Sequence, residues 1–241
     1  MSGRSSVLFV DIGNSRIKCC YQGNLNDVFI LEDAKKVTAL LQQVTHCVVA
    51  AVGQQQQLDI LCQILDEFHI TSQLLTTTKE QFGIKCAYEQ PAKMGIDRWL
   101  AILACQQEYK GGFAVLDLGT AMTCDFVDSN GQHLGGWIAP GMTIMKNALQ
   151  QRTEKVMTNA QNQHPVLLQI GQNTADCVDY GCLAAVQGFL HSAKLIVSRF
   201  SPQVKIFVAG GDANLLEQLT DEQIEIIVNP VLKGIDRVIS G

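Results

Sequence analysis

Four apolar residues run straight into a carboxylate at Val7-Leu8-Phe9-Val10-Asp11, and an extended, alternating pattern resumes after Gly13-Asn14. The apolar run predicts a buried strand, and Gly-Asn predicts a tight reversal into a second one. A third strand follows at Val28–Leu31, then helical spacing of Val37, Leu40 and Leu41 within Asp33–Gln43. Cys47–Val52 is a continuous apolar strand. The polar run Gln54–Gln57 reads as the solvated first turn of a helix that gathers Leu58, Leu61, Ile64, Leu65 and Phe68 on one face. A short strand near Gln73–Leu75 and a helix from about Gly95 to Tyr109 complete this half.

After the flexible stretch Lys110-Gly111-Gly112 the opening pattern returns as Phe113-Ala114-Val115-Leu116-Asp117-Leu118-Gly119-Thr120, with Asp117 placed 106 residues after Asp11. That offset is about one domain length. A third strand is expected at His133–Ala139, a turn at Ala139-Pro140-Gly141, and a weakly patterned polar segment over Gln151–Asn173. A long helix over Thr174–Arg199 has Val178, Leu183, Val186, Leu190, Leu195 and Ile196 as core positions. A strand at Val204–Ala209 ends in Gly210-Gly211-Asp212, and a strand at Ile224–Val228 precedes a short helix. The expectation is two copies of one α/β fold with mixed sheets and flanking helices, divided as residues 1–111 and 112–241.

Composition narrows the partners. At 47% hydrophobic and 17% charged residues the chain has ample core material. A net charge of −5 without clustered Lys and Arg argues against nucleic acid. No apolar run approaches the roughly 20 residues needed to span a membrane, so a cytoplasmic location is expected. None of the nine cysteines forms a Cys-x-x-Cys pair, and most sit inside apolar runs. They read as small buried hydrophobes in a reducing compartment, not as a disulfide framework or a zinc site.

Two Asp-x-Gly hairpins on a duplicated fold can face a nucleotide across an interdomain cleft. Turn N–H groups cradle phosphate oxygens there, while the carboxylates hold the cations that neutralise them. Gly210-Gly211 would let a flat base approach the backbone. Neither Gly-x-x-x-x-Gly-Lys-Ser/Thr nor Gly-x-Gly-x-x-Gly occurs, which removes the commonest competing nucleotide loops.

VDIGNSRIK, LDLGTAMTCD and VAGGDA, in that order, resemble the two phosphate motifs and the adenosine motif of the acetate kinase, sugar kinase and actin superfamily. Tyr88-Glu89-Gln90-Pro91, Gly95-Ile96-Asp97-Arg98 and Gly135-Gly136-Trp137-Ile138-Ala139-Pro140-Gly141 narrow the resemblance to the type III pantothenate kinases. Ser15 stands where those enzymes often have Thr, and Gln90 where many have Asn.

The resemblance implies duplicated ribonuclease H-like (actin-like ATPase) domains and ATP-dependent phosphorylation of pantothenate by a homodimer. The implied cofactors are Mg²⁺ and a monovalent cation, K⁺ or NH₄⁺. Carried over by position, Asp11, Ile12, Gly13, Asn14, Ser15, Arg16, Ile17, Lys18 and Thr120 contact ATP. Tyr88, Gly95, Ile96, Asp97, Arg98 and Thr174 bind pantothenate, with Asp97 as base and Thr174 near the dimer interface. Asp117 holds the monovalent cation. Taken without the resemblance, Asp97-Arg98 reads first as a helix start, Lys18 as a solvated strand residue and Asp125 as a cap or bridge at a strand end. The alternatives are another kinase of this superfamily, for a sugar or small carboxylic acid, a polyphosphate phosphatase, or a non-catalytic regulatory protein on the same fold.

Overall fold

In the computed structural model, which describes residues 7–42, 44–152, 164–219 and 221–241, the opening apolar run forms β1 (Val7–Ile12), the middle strand of a five-stranded sheet. β1 reverses into antiparallel β2 (Ile17–Tyr21), which pairs with β3 (Phe29–Leu31). On its other side β1 runs parallel to β4 (His46–Ala51), and β4 parallel to β5 (Thr71–Leu74). Leu8, Val10 and Ile12 face one core together with Val37, Leu41, Leu61 and Leu65, while Phe9 is fully buried between them in sequence. Burial on both faces is why β1 and β4 read as unbroken apolar runs and not as alternating ones.

The connection from β3 to β4 is a 3-10 helix at Ala34–Leu40, where an α-helix over Asp33–Gln43 is expected; Asp33 caps it by accepting from the Lys35 N–H. α1 (Gln55–Glu67) links β4 to β5 and buries Leu61, Ile64 and Leu65. A small hairpin, β6 (Glu80–Gln81) and β7 (Ile84–Lys85), leads to α2 (Ile96–Glu108). Every residue of α2 from Arg98 to Cys105 is buried. A helix apolar all round needs cover on more than one side.

The second sheet repeats the first strand for strand. β8 (Phe113–Leu118) reverses into antiparallel β9 (Ala121–Val127), which pairs with β10 (His133–Pro140). Here the chain forms α3 (Met142–Arg152), a helix that the sequence pattern does not announce. Much of the polar segment expected over 151–173 lies outside the described residues. α4 (Thr174–Val197) starts at the N-cap Asn173, whose side chain accepts from the Asp176 N–H. Its core residues include Leu183, Val186 and Leu190 as expected, but Leu195 is exposed, and Ala193 and Val197 are buried instead. β11 (Ile206–Ala209) runs parallel to β8 and to β12 (Ile224–Ile226), so the order β10-β9-β8-β11-β12 matches β3-β2-β1-β4-β5.

α5 (Pro230–Ser240) departs from the expected division at 111/112. Residues 109–228 form one compact unit, while 229–241 belong with 1–108. The reason is packing: α5 lies along α2, and a Cβ on Gly234 would come within 2.3 Å of the Leu100 carbonyl oxygen. Arg237 of α5 donates to the Leu103 carbonyl and to Gln106, and its guanidinium sits 4.5 Å from the Phe82 ring centre. Seven of the nine cysteines are buried, and burial pushes the Cys20 and Cys47 thiols up to about 12, so both stay protonated and pack as small apolar groups.

The α2–α5 approach gives a direct test. Gly234→Ala forces the two helices apart and is expected to cost about 2 kcal/mol, an overpacking penalty. A thermal melt followed by circular dichroism checks it, and a midpoint within about 1 °C of wild type would contradict the close approach.

Candidate functional site

The first hairpin brings Asp11 to the end of a buried strand. Asp11 is 9% exposed and lies directly opposite Lys18 in the β1–β2 register. Opposed residues on an antiparallel pair share one face, so the carboxylate and the ammonium stem rise on the same side. The reversal is closed by the Gly13 N–H donating to the Arg16 carbonyl at 3.1 Å. Asn14, Ser15 and Arg16 are exposed at its tip, whereas Ile12 and Ile17 are buried in the core. Both isoleucines are core residues of the hairpin.

Gln54 reaches this turn from the N-terminus of α1. Its Nε2 donates to the Gly13 carbonyl at 3.0 Å and also to the Asn14 carbonyl. Sequence spacing treats Gln54 as one of four solvated glutamines. The only sequence sign of its role is the Gly53 before it, which marks a corner.

In the second unit, Asp117 is half-buried at the corresponding strand end and Thr120 is exposed in the turn. The Gly119 N–H donates to the Ala121 carbonyl at 3.1 Å, and the Gly141 N–H to the Thr120 carbonyl at 3.0 Å. Gly210, at φ +99°, closes against this turn: a Cβ there would lie 2.1 Å from the Leu118 carbonyl oxygen and 2.6 Å from Asp117 Oδ1. A carbonyl and a carboxylate oxygen thus converge beside a residue that must be glycine. The Gly-Gly pair of the third motif shapes the second.

Tyr88 and Arg98 are joined directly, Nη1 of the buried Arg98 donating to the Tyr88 hydroxyl at 3.1 Å. Asp97 is in the first turn of α2, half-buried, with Oδ1 accepting the Arg98 backbone N–H at 2.8 Å. A negative group is favoured at a helix N-terminus. A Cβ on Gly95 would lie 2.6 Å from the same Oδ1, so Gly95 leaves the carboxylate its place. Ile96 is 7% exposed. Trp99 Nε1 points to Gln81 Oε1 at 3.4 Å, and the buried Thr77 hydroxyl donates to the Met94 carbonyl at 3.0 Å. These contacts fix the loop that enters α2.

Thr174, the first residue of α4, lines an apolar groove of about 560 Å³ together with Pro140, Met145, Leu149, Val178 and Ala185. Beneath it, Lys146 of α3 and Asp179 of α4 form a buried ion pair at 2.7 Å. A buried charge is tolerable only when paired, so this contact ties the two helices together. Burial also lowers the His164 pKa, and that ring lies 3.3 Å from the Thr143 hydroxyl. Asp125, a cap or bridge at a strand end by its sequence, is buried against His133 with Nε2 to Oδ1 of 3.0 Å. Among the described residues, no three His, Cys, Asp or Glu side chains group as a metal cage, and no helix is long and apolar enough to cross a membrane.

The family model of type III pantothenate kinases matches residues 7–194. The type III pantothenate kinase of Pseudoalteromonas atlantica is 36% identical over 98% of both chains, and that of Pseudomonas aeruginosa PAO1 is 34% identical over 87% of this chain and 90% of its own. Among solved structures, one from Campylobacter jejuni of the Baf family of transcriptional activators superposes with a TM-score of 0.64 at 22% identity, covering 97% of each chain. One from Listeria monocytogenes described as an N-acetylmannosamine kinase gives 0.51 at 13%, covering 97% and 98%. At these identities the structural likeness speaks for the fold alone: duplicated units of the actin-like ATPase and sugar kinase kind.

Proposed function

The chain belongs to the type III pantothenate kinase family, and on that premise we propose which of its residues carry out the ATP-dependent phosphorylation of pantothenate to 4'-phosphopantothenate, the first step of coenzyme A biosynthesis. The observation that carries the assignment is the bond from buried Arg98 to Tyr88, which joins the two halves of the acceptor motif. Phosphoryl transfer depends mainly on positioning and charge neutralisation, so the roles divide along those lines.

Arg98 pairs with the pantothenate carboxylate, with Tyr88 and the Gly95–Ile96 backbone setting its surroundings and Thr174 adding a contact. Asp97 accepts the proton of the pantothenate hydroxyl as that oxygen attacks the γ-phosphorus. The proton is given up late in a loose transition state, so a carboxylate is basic enough. Asp11 through Lys18 and Thr120 hold ATP. The carboxylates of Asp11 and Asp117 are hard oxygen donors of the kind Mg²⁺ and K⁺ take. Asp117, with the Leu118 carbonyl beside it, suits the monovalent cation, and Mg²⁺ bound with ATP would offset phosphate charge. The reaction is assigned to the cytoplasm.

A homodimer is part of the same proposal. The α3–α4 groove and the exposed Leu149 and Leu195 leave apolar surface on the helices that carry Thr174. Sedimentation velocity is expected to show a dimer; a fully active monomer would remove this element.

Asp97→Asn keeps the acceptor for the Arg98 N–H and loses the base. Turnover is expected to fall about 10² to 10⁴-fold, with ATP binding and thermal stability near wild type. Near-normal kcat accompanied by a lowered melting point would instead make Asp97 a helix-start residue only.

The cation assignment predicts activity that rises with K⁺ or NH₄⁺ and a weaker dependence in Asp117→Asn. Equal rates in K⁺, Na⁺ and a large organic cation would refute it.

A further inference from the structure

Gln54 holds a backbone conformation that its side chain does not favour. Its φ of 44° and ψ of 47° are left-handed, directly after Gly53 at φ +67°. A non-glycine residue in this region is strained and persists where its surroundings demand it. Here the demand comes from the hairpin. A Cβ on Gly53 would lie 2.6 Å from Asn14 Oδ1, so the corner is pressed onto the turn, and the Gln54 amide then grips two consecutive carbonyls, those of Gly13 and Asn14.

The consequence follows from the planarity of the peptide bond. In a trans peptide the N–H points opposite to the C=O of the preceding residue. Drawing the Gly13 carbonyl toward Gln54 turns the Asn14 N–H away from it, and drawing the Asn14 carbonyl does the same to the Ser15 N–H. Two successive N–H groups aimed to one side form a concavity that suits an anion. Without the amide, neither carbonyl is held toward Gln54, and either peptide can turn an oxygen toward a phosphate.

We propose that Gln54 is a positioning residue for nucleotide binding, its side-chain amide presetting the Asn14 and Ser15 N–H groups toward a phosphate of ATP. This deepens the reading of residues 11–18 as the ATP-binding hairpin and rests on it. The effect falls on ATP affinity and leaves the pantothenate site untouched.

Gln54→Gly separates this role from a structural one, because glycine relieves the left-handed strain while deleting the amide. ATP affinity, measured by calorimetric titration without pantothenate, is expected to weaken about tenfold, the scale of lost charge-assisted bonds. KM for ATP should rise by the same factor, while KM for pantothenate and the melting temperature hold. Gln54→Asn, one methylene short but tolerant of the left-handed backbone, should show the same loss. Unchanged ATP affinity in both variants, with Asp11→Asn weakening ATP binding, would overturn the role of Gln54 and leave the hairpin assignment standing. Wild-type ATP affinity in all three variants would overturn the hairpin assignment itself.

Discussion

A carboxylate at the end of a doubly covered strand is the constraint from which the rest of this molecule follows. Inside the sheets β1 and β8 each pair with a strand on both sides, and most of their positions are apolar. Near the end of each stands a carboxylate, Asp11 buried and Asp117 half-buried, and a partly desolvated anion calls for positive charge. Lys18 stands opposite Asp11 in the register.

Arg98 poses a different problem, that of a charged side chain in a stretch of helix buried from residue 98 to 105, where a guanidinium needs hydrogen-bond partners. Tyr88 is one, supplied by a loop whose own course is set by Thr77, Met94 and the Trp99 indole. A group held this way loses little freedom when substrate arrives, which is the physical content of preorganisation.

Most of the architecture was legible in the sequence because it rests on patterns with a fixed period. The two apolar runs into Asp-x-Gly announced the duplication, and the strand order of the two sheets repeats it. Tyr88 and Arg98 were both singled out by their motif, and the structure brings them into contact. What stayed hidden has local or long-range causes. α3 lacks a clean apolar stripe, since Lys146 turns inward to meet Asp179. Leu195 looks like core by its chemistry but falls on the outer side of α4. Gln54 looks solvated because glutamine is polar, and only the fold brings its amide to carbonyls about forty residues earlier. The burial of Ile12, Ile17 and Ile96 likewise shows that a motif names positions without saying which of them the fold covers.

The return of α5 to α2 has a kinetic meaning. Arg237 and Leu103 are 134 residues apart, and everything that builds the second sheet is threaded between them. The continuous unit can assemble as soon as its own residues leave the ribosome. The discontinuous one must wait with one flank of its buried helix uncovered until that stretch has been made, an exposed apolar surface of the kind chaperones attend. The helix that carries Asp97 and Arg98 is therefore covered late, after the Asp117 hairpin of the second sheet has been made.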